Sequence, residues 1–297
     1  MIDRRTLISA GTAGALATAL APHAEAAAPE QPIPAQYATN GYFIGCQAWT
    51  WNHFTALEAV EKTAQAGGKV IEFFPGQKVG GPHGDTGLGP DCAPEVIATV
   101  KAALAKHGLK AVNFGVVGIP NNAAGARKLF EFAKTMGLRA ITTESVDAID
   151  TFEPLVMEFD ICVAFHNHPR QPNNPNYKVW DPNYILSVVK GRDKRIGACA
   201  DTGHWVRSGL KPVDCIRILK GHIISSHLKD LNAFEPEAHD VPFGTGVSDI
   251  PGILDEYRRQ GFTGNISVEY EHEMDKSMPM VAQCIGFVRG YSSPRGK

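Results

Sequence analysis

The sequence predicts a single (β/α)8 barrel of the TIM type, class α/β, and three observations lead there. Eight short apolar runs alternate with eight amphipathic segments between residues 42 and 289, a pattern that implies parallel strands joined by right-handed helical crossovers. Eight such units in about 250 residues is the count that closes a barrel. Glycine follows several helical patterns where a left-handed cap is needed, at Gly67-Gly68, Gly108, Gly137 and Gly261. An open doubly wound sheet is the alternative, but it calls for a Gly-rich phosphate loop after the first strand, and residues 46–52 (CQAWTWN) offer none.

In chain order the apolar runs predict strands at 42–48, 70–74, 111–116, 140–143, 161–165, 197–200, 223–227 and 266–270. Helical patterns follow each of them, at 57–65, 94–106, 123–136, 148–158, 182–190, 212–219, 250–260 and 277–289. Ahead of the barrel, Arg4-Arg5 precede an apolar Ala/Gly-rich run over 7–21, and Ala24-Glu25-Ala26 has a small-x-small pattern. Residues 1–29 therefore read as a twin-arginine-type signal peptide, 30–40 as a Pro/Ala-rich linker and 41–293 as the catalytic barrel. The expected location is the periplasm, with no stable membrane insertion after cleavage, since the apolar run is short for a bilayer core of ~30 Å.

Composition narrows the class. The 297 residues carry a net charge of −2 and are 43% hydrophobic, the profile of a soluble enzyme with a large core. No Lys/Arg cluster stands out, so nucleic acid is not an expected partner, while homo-oligomerisation is left open. Six cysteines lack a CxxC pair and mostly sit in apolar or helical runs, which favours buried free thiols; Cys162 and Cys199, on neighbouring predicted strands, are the pair to check for a disulfide.

In a barrel of this kind the chemistry sits where strands end. Polar residues gather there: Glu144 after strand four; His166, Asn167 and His168 after strand five; Asp201, Thr202, Gly203 and His204 after strand six; His227, Lys229 and Asp230 after strand seven; Glu269 and Glu271 after strand eight. The earlier strand ends carry little that compares. Two carboxylates and an imidazole from consecutive strands, Asp201, His227 and Glu269, form a mixed O/N set suited to Mn²⁺, Co²⁺, Mg²⁺ or Zn²⁺. A lone strand-end Asp is as often the N-cap of the next helix, and a lone His is more often a packed rim residue, but several ending successive strands are harder to explain that way. For a fourth ligand Glu144, His166 and His168 compete.

At these residues the chain resembles the xylose isomerase-like family of sugar isomerases, epimerases and dehydratases (sugar phosphate isomerase/epimerase and inosose dehydratase-like proteins) over roughly 40–290. The resemblance is carried by residues 70–74 (VIEFF), 165–169 (FHNHP), 200–205 (ADTGHW), 226–230 (SHLKD), 242–246 (PFGTG) with Asp249, and 266–271 (ISVEYE). It implies a divalent-metal site on Asp201, His227 and Glu269, with His204 and Lys229 directed toward substrate. One departure matters: many relatives have Glu where His166 stands. We expect Glu144 to supply that carboxylate as fourth ligand, leaving His166 to move protons near neutral pH. Catalytic candidates are thus His166, Glu144, Glu269 and Lys229; substrate-contact candidates are His168, His204, Lys229, Trp49, Glu72 and Asn113, with Glu72 and Glu271 also read as rim or supporting groups. Trp49, Trp51, Phe74, Trp180 and Trp205 lie near strand ends where they could stack on sugar faces, and 170–177 reads as an active-site loop.

The implied chemistry is proton removal beside the carbonyl of an unphosphorylated sugar, since export and the missing phosphate cradle disfavour a sugar phosphate. Returning the proton epimerises or isomerises; expelling a leaving group makes the enzyme a lyase or dehydratase on keto-sugars or 3-keto-glycosides. A non-catalytic periplasmic sugar-binding barrel is a further alternative, opposed by the intact trio. An apurinic-endonuclease activity of the same superfamily fits neither the charge nor the compartment.

Overall fold

The computed structural model describes residues 32–292; the expected signal peptide lies outside them. Eight parallel strands, β1 (Phe43–Gln47), β2 (Val70–Phe73), β3 (Lys110–Phe114), β4 (Ala140–Thr143), β5 (Cys162–His166), β6 (Ile196–Asp201), β7 (Ile223–Leu228) and β8 (Asn265–Val268), close in sequence order, with β8 pairing back onto β1. Every strand end lies within two residues of its predicted position. The helices are α1 (Ala56–Gln65), α2 (Pro94–His107), α3 (Ala123–Met136), α4 (Ile149–Phe159), α5 (Pro182–Val189), α6 (Thr202–Arg207), α7 (Pro212–Ile218), α8 (Ile250–Gln260) and α9 (Met278–Gly290). Only α6 was not expected, because it follows β6 with no loop to announce it.

Local chemistry explains the element ends. Thr55 and Glu58 form a reciprocal capping box at the start of α1. Gly108, Gly137 and Gly261 adopt the left-handed conformation that ends α2, α3 and α8. No helix among the described residues is long and apolar enough to cross a membrane.

Side chains on a strand alternate between faces, and this sorts the core. Along β5, Val163 and Phe165 join the outer cluster with helix residues such as Val100, Phe130, Phe152 and Ile253, while Cys162 and Ala164 face inward with Ala140, Cys199 and Ile224. Each large apolar side chain buried this way contributes up to about 1.5–3 kcal/mol.

One expectation changes here, and the expectation of free thiols holds. The segment 30–40, read as a linker, is partly built into the fold: Ile33 is buried against Val70 and Val112, and Ala35–Tyr37 make a 3₁₀ turn. The N-terminal mouth of the barrel exposes apolar side chains, and Ile33 covers them. All six cysteines are free. The register sets Cys199 beside His166, four residues along from the level of Cys162. At about 3.3 Å per residue the two thiols sit roughly 13 Å apart, beyond disulfide reach.

Candidate active site

The inner-face alternation that puts Cys162 and Ala164 inside the barrel also turns His166 inward at the top of β5. Asp201 ends β6, His227 lies near the end of β7 and Glu269 follows β8. One ligand atom from each of these four lies within 4.8 Å of all the others. His166 Nε2 is 3.5 Å from Asp201 Oδ2, and His227 Nδ1 is 3.3 Å from Glu269 Oε2 and 3.9 Å from Asp201 Oδ2. None of the four is more than 7% exposed.

The Asp201 carboxylate does two jobs at once. Oδ1 accepts from the His204 N–H at 2.7 Å and caps α6, while Oδ2 faces the cluster. The N-cap and the ligand readings of a strand-end Asp are therefore compatible, one oxygen for each.

Four atoms here are buried without a hydrogen-bond partner: both ring nitrogens of His166, Asp201 Oδ2 and His227 Nδ1. Leaving a buried polar atom unpaired costs about 1–3 kcal/mol, so the convergence of His166 Nε2, Asp201 Oδ2 and His227 Nδ1 fits a cation, while His166 Nδ1 faces Glu144 at 3.5 Å. The histidine on β7 is already oriented for one. Its Nε2 lies 3.0 Å from Glu72 Oε2, and a proton donated there leaves the Nδ1 lone pair directed at the cluster. Glu72 is held in turn by Thr142 Oγ1 at 2.7 Å and Ser267 Oγ at 3.2 Å, and Thr142 accepts from Asn113 Nδ2 at 3.4 Å. Two imidazoles and two carboxylates suit Mn²⁺, Co²⁺ or Zn²⁺ better than a purely hard-oxygen ion.

Charge is balanced within the site. Lys229 Nζ sits 3.3 Å from Asp201 Oδ2, 2.8 Å from Glu269 Oε2 and 2.6 Å from Glu271 Oε2. Burial works to depress this lysine, but Asp201, Glu269 and Glu271 hold its pKa well above the ordinary value. Burial likewise opposes ionisation of Asp201 and Glu269, yet their neighbours, the His204 ring and the Lys229 ammonium for the first and Lys229 and His227 for the second, keep both below the usual carboxylate range. Gly203 makes room for the lysine stem: a Cβ there would lie 2.7 Å from Lys229 Cβ.

These positions bear on several expectations. Glu144 stands outside the four-residue group and belongs to a second one, with His166 and His168. Its carboxylate takes His168 Nδ1 at 2.5 Å, the His168 N–H at 3.2 Å and the Tyr177 hydroxyl at 2.8 Å, so three donors on the loop after β5 draw it aside. His166, expected as the free acid or base, occupies the fourth position instead, with Nδ1 3.5 Å from Glu144. Glu72 and Asn113, expected to touch substrate, are fully buried beneath the cluster. Lys229 is 1% exposed and engaged by carboxylates, and does not line the cavity. Trp51 and Trp205 are buried in the core, so neither presents a face to ligand.

The opening above the cluster is a cavity of about 230 Å³ lined by His166, His168, His204, Glu269, Glu271 and Trp49, with Gln47, Phe74 and Gly115 among the rest of its wall. Trp49 meets Phe74 edge-on at 5.0 Å between ring centres. Burial holds His204 well below its ordinary pKa, with Asp201 opposing, so it enters the cavity as a neutral ring.

A family model described as "Xylose isomerase-like TIM barrel" matches residues 60–284. The chain belongs to that family. Within it, the chain is 31% identical to an uncharacterized protein of Parabacteroides distasonis ATCC 8503, whose structure covers 84% of this chain and 98% of that one at a TM-score of 0.67. A sugar phosphate isomerase/epimerase from the same organism shares the fold at 14% identity, 87% and 99% coverage and a TM-score of 0.63. The rhizopine catabolism protein MocC of Rhizobium meliloti is 28% identical over 145 residues, 43% of this chain and 42% of that protein, so the chain spans less than half the length of this curated relative. Other structures of this fold, at 13–16% identity, include epimerases and a dehydratase; at that distance they show the fold alone. The family and its neighbours are mostly sugar-modifying enzymes.

Two functional-looking groups of this family member were not foreseen. Tyr177 lies in the Pro/Asn-rich stretch 170–177 read as an active-site loop, but nothing in its sequence neighbours marks it as the partner of Glu144. Asp230, grouped with the strand-end candidates, instead accepts from the Gly244, Gly246 and Ser248 N–H groups at 2.8–3.0 Å and pins the PFGTG loop.

Proposed function

We propose that the protein is a divalent-metal-dependent isomerase or epimerase that moves a proton next to the carbonyl of an unphosphorylated sugar. The observation that carries this reading is the convergence of four donor side chains, with unpaired buried atoms, at the floor of a cavity that carries no Lys or Arg among its described lining residues. A phosphate would need such a cation, or a backbone cradle, to offset its charge. His166, Asp201, His227 and Glu269 would hold the metal, which when bound supplies Lewis-acid polarisation of a carbonyl oxygen.

The chain's own residues do the rest. His168, fixed by Glu144, stands in one sector of the rim, and Glu271, fixed by Lys229 and Arg207, stands in another. A group on each side can take a proton from a carbon and return one. His204 and Gln47 offer hydrogen bonds to hydroxyls, and Trp49 with Phe74 offers an apolar wall for a sugar face. β-Elimination on a keto-sugar or 3-keto-glycoside begins with the same proton removal. It is favoured by one feature, the Glu144–His168–Tyr177 cluster, which could protonate a departing oxygen. The arginine pair at Arg4-Arg5 supports delivery to the periplasm by the twin-arginine route.

The test is incubation of Mn²⁺- or Co²⁺-loaded protein with unphosphorylated ketohexoses in D₂O. Deuterium should enter the carbon beside the carbonyl; its absence across the panel sinks the isomerase reading, and an unsaturated product moves the assignment to the lyase. Metal analysis of His166→Gln and Glu144→Gln separates their roles. The first should lose metal and the second retain it.

A further inference from the structure

The loop after β5 walls a second, larger depression that the mechanism above does not use. It has a volume of about 510 Å³ and is lined by Trp180, Tyr184, Tyr177, Arg170, Gln171 and Asn174 with their neighbours up to Asn183. It neighbours the active-site cavity through the loop after β5. His168 lines the cavity, its N–H donates to the Tyr177 hydroxyl at 3.2 Å, and the Tyr177 ring lines the depression.

We propose that this depression is a subsite for a second sugar ring, and that the natural substrate is a glycoside or disaccharide rather than a free monosaccharide. The inference rests on the sugar reading of the active site. Three features argue for a pyranose. First, the lining mixes aromatic rings with amides, the pairing that the apolar faces and equatorial hydroxyls of a sugar require. Trp180 is half-buried, with the Arg170 guanidinium 5.2 Å from its ring centre, and Tyr184 carries Lys178 at 5.9 Å. These cations steady the rings and leave N–H donors at the edge.

Second, the amides have capacity to spare. Asn174 Nδ2 donates to Gln171 Oε1 at 3.1 Å, while Asn174 Oδ1 and Gln171 Nε2 have no partner among the described residues. An acceptor and a donor held side by side match a vicinal diol. Third, the shared wall is chemical. Tyr177 donates to Glu144 at 2.8 Å, and Glu144 holds His168, so a ring in the depression would place its glycosidic oxygen toward the Tyr177–Glu144–His168 cluster while the first ring occupies the cavity.

The experiment is ligand-observed NMR titration of the full-length mature protein with D-glucose, methyl β-D-glucoside, maltose and cellobiose. At least one disaccharide should bind about ten-fold more tightly than glucose, and Trp180→Ala and Arg170→Ala should each remove that advantage while glucose affinity stays within about two-fold. Arg170 projects from an exposed loop position and its backbone N–H bond to Ser208 does not involve the side chain, so that variant carries the test if Trp180→Ala does not fold. Glucose bound with no gain from a second ring, or a gain that survives both substitutions, overturns the subsite alone. Failure of all four sugars to bind overturns the subsite, while the sugar reading of the cavity stands or falls separately with the ketohexose exchange in D₂O.

Discussion

Two steps along each strand separate a dry barrel interior from a charged one. At the N-terminal end Ala140, Cys162, Ala164, Cys199 and Ile224 pack as an apolar plug, and Ile33 closes the mouth below against Val70 and Val112. At the C-terminal end the same inner faces carry His166, Asp201 and His227, with unpaired buried atoms and a lysine among carboxylates. The lower end is held mostly by packing, although Arg139 Nε, Ser225 Oγ and Asn265 Oδ1 are also buried there without a hydrogen-bond partner. The upper end leaves both ring nitrogens of His166, Asp201 Oδ2 and His227 Nδ1 without hydrogen-bond partners, a cost that the proposed cation would offset. One end is built for stability and the other for binding, and substitutions should divide the same way.

The largest effect is expected from Asp201→Asn. Asparagine caps a helix as well as aspartate does, so α6 keeps its N-cap while the cluster loses an anionic donor. Activity should fall on the order of 10³-fold, the few kcal/mol that metal-centred charge stabilisation supplies. Added Mn²⁺ should raise the melting temperature of the wild type and leave that of the variant unmoved. A variant that still gains thermal stability from the metal would remove Asp201 from the ligand set.

Ile224→Ala probes the opposite end and should show the reverse signature. The side chain is 5% exposed inside the plug, and truncating such a residue costs about 2–4 kcal/mol, or roughly 5–12 °C in melting temperature for a chain of this size. Its kcat/KM should remain near the wild-type value, and Mn²⁺ should add the same increment of stability from a lower base. Loss of the metal increment would mean that the plug positions the site rather than merely supporting the barrel.

Much of this division was legible in the residues. The strand count, the order of the elements and the clustering of Asp201, His227 and Glu269 at consecutive strand ends follow from period-two apolar runs broken by polar residues. Two things were not. The identity of the fourth group turned on the loop after β5, where Tyr177 and His168 compete for Glu144; side-chain competition of that kind leaves no periodic trace. The polar layer under the cluster was equally hidden. Glu72, Asn113 and Thr142 are single polar residues in apolar runs, and the contacts that give them meaning span 155 residues to His227 and 195 to Ser267. Closure of the barrel creates those neighbours, and no local pattern encodes them.

That hidden layer marks the boundary between the two ends, and Glu72→Gln tests which side it belongs to. Glutamine preserves the shape and can still accept from His227 Nε2 through its carbonyl, while its amide can donate to Thr142 or Ser267, whose hydroxyls rotate to accept. The fold should therefore hold, with a melting temperature close to that of the wild type. What is lost is the negative charge behind the imidazole, which raises the basicity of the Nδ1 lone pair. Changing such a partner lowers metal affinity by about 10–100-fold, an effect that excess Mn²⁺ should overcome. At saturating metal, KM for a turned-over sugar should match the wild type, because Glu72 is sealed from the cavity by the cluster itself. A raised KM with unchanged metal affinity would instead make Glu72 a substrate contact, and would place the boundary between binding and packing one layer deeper in the barrel.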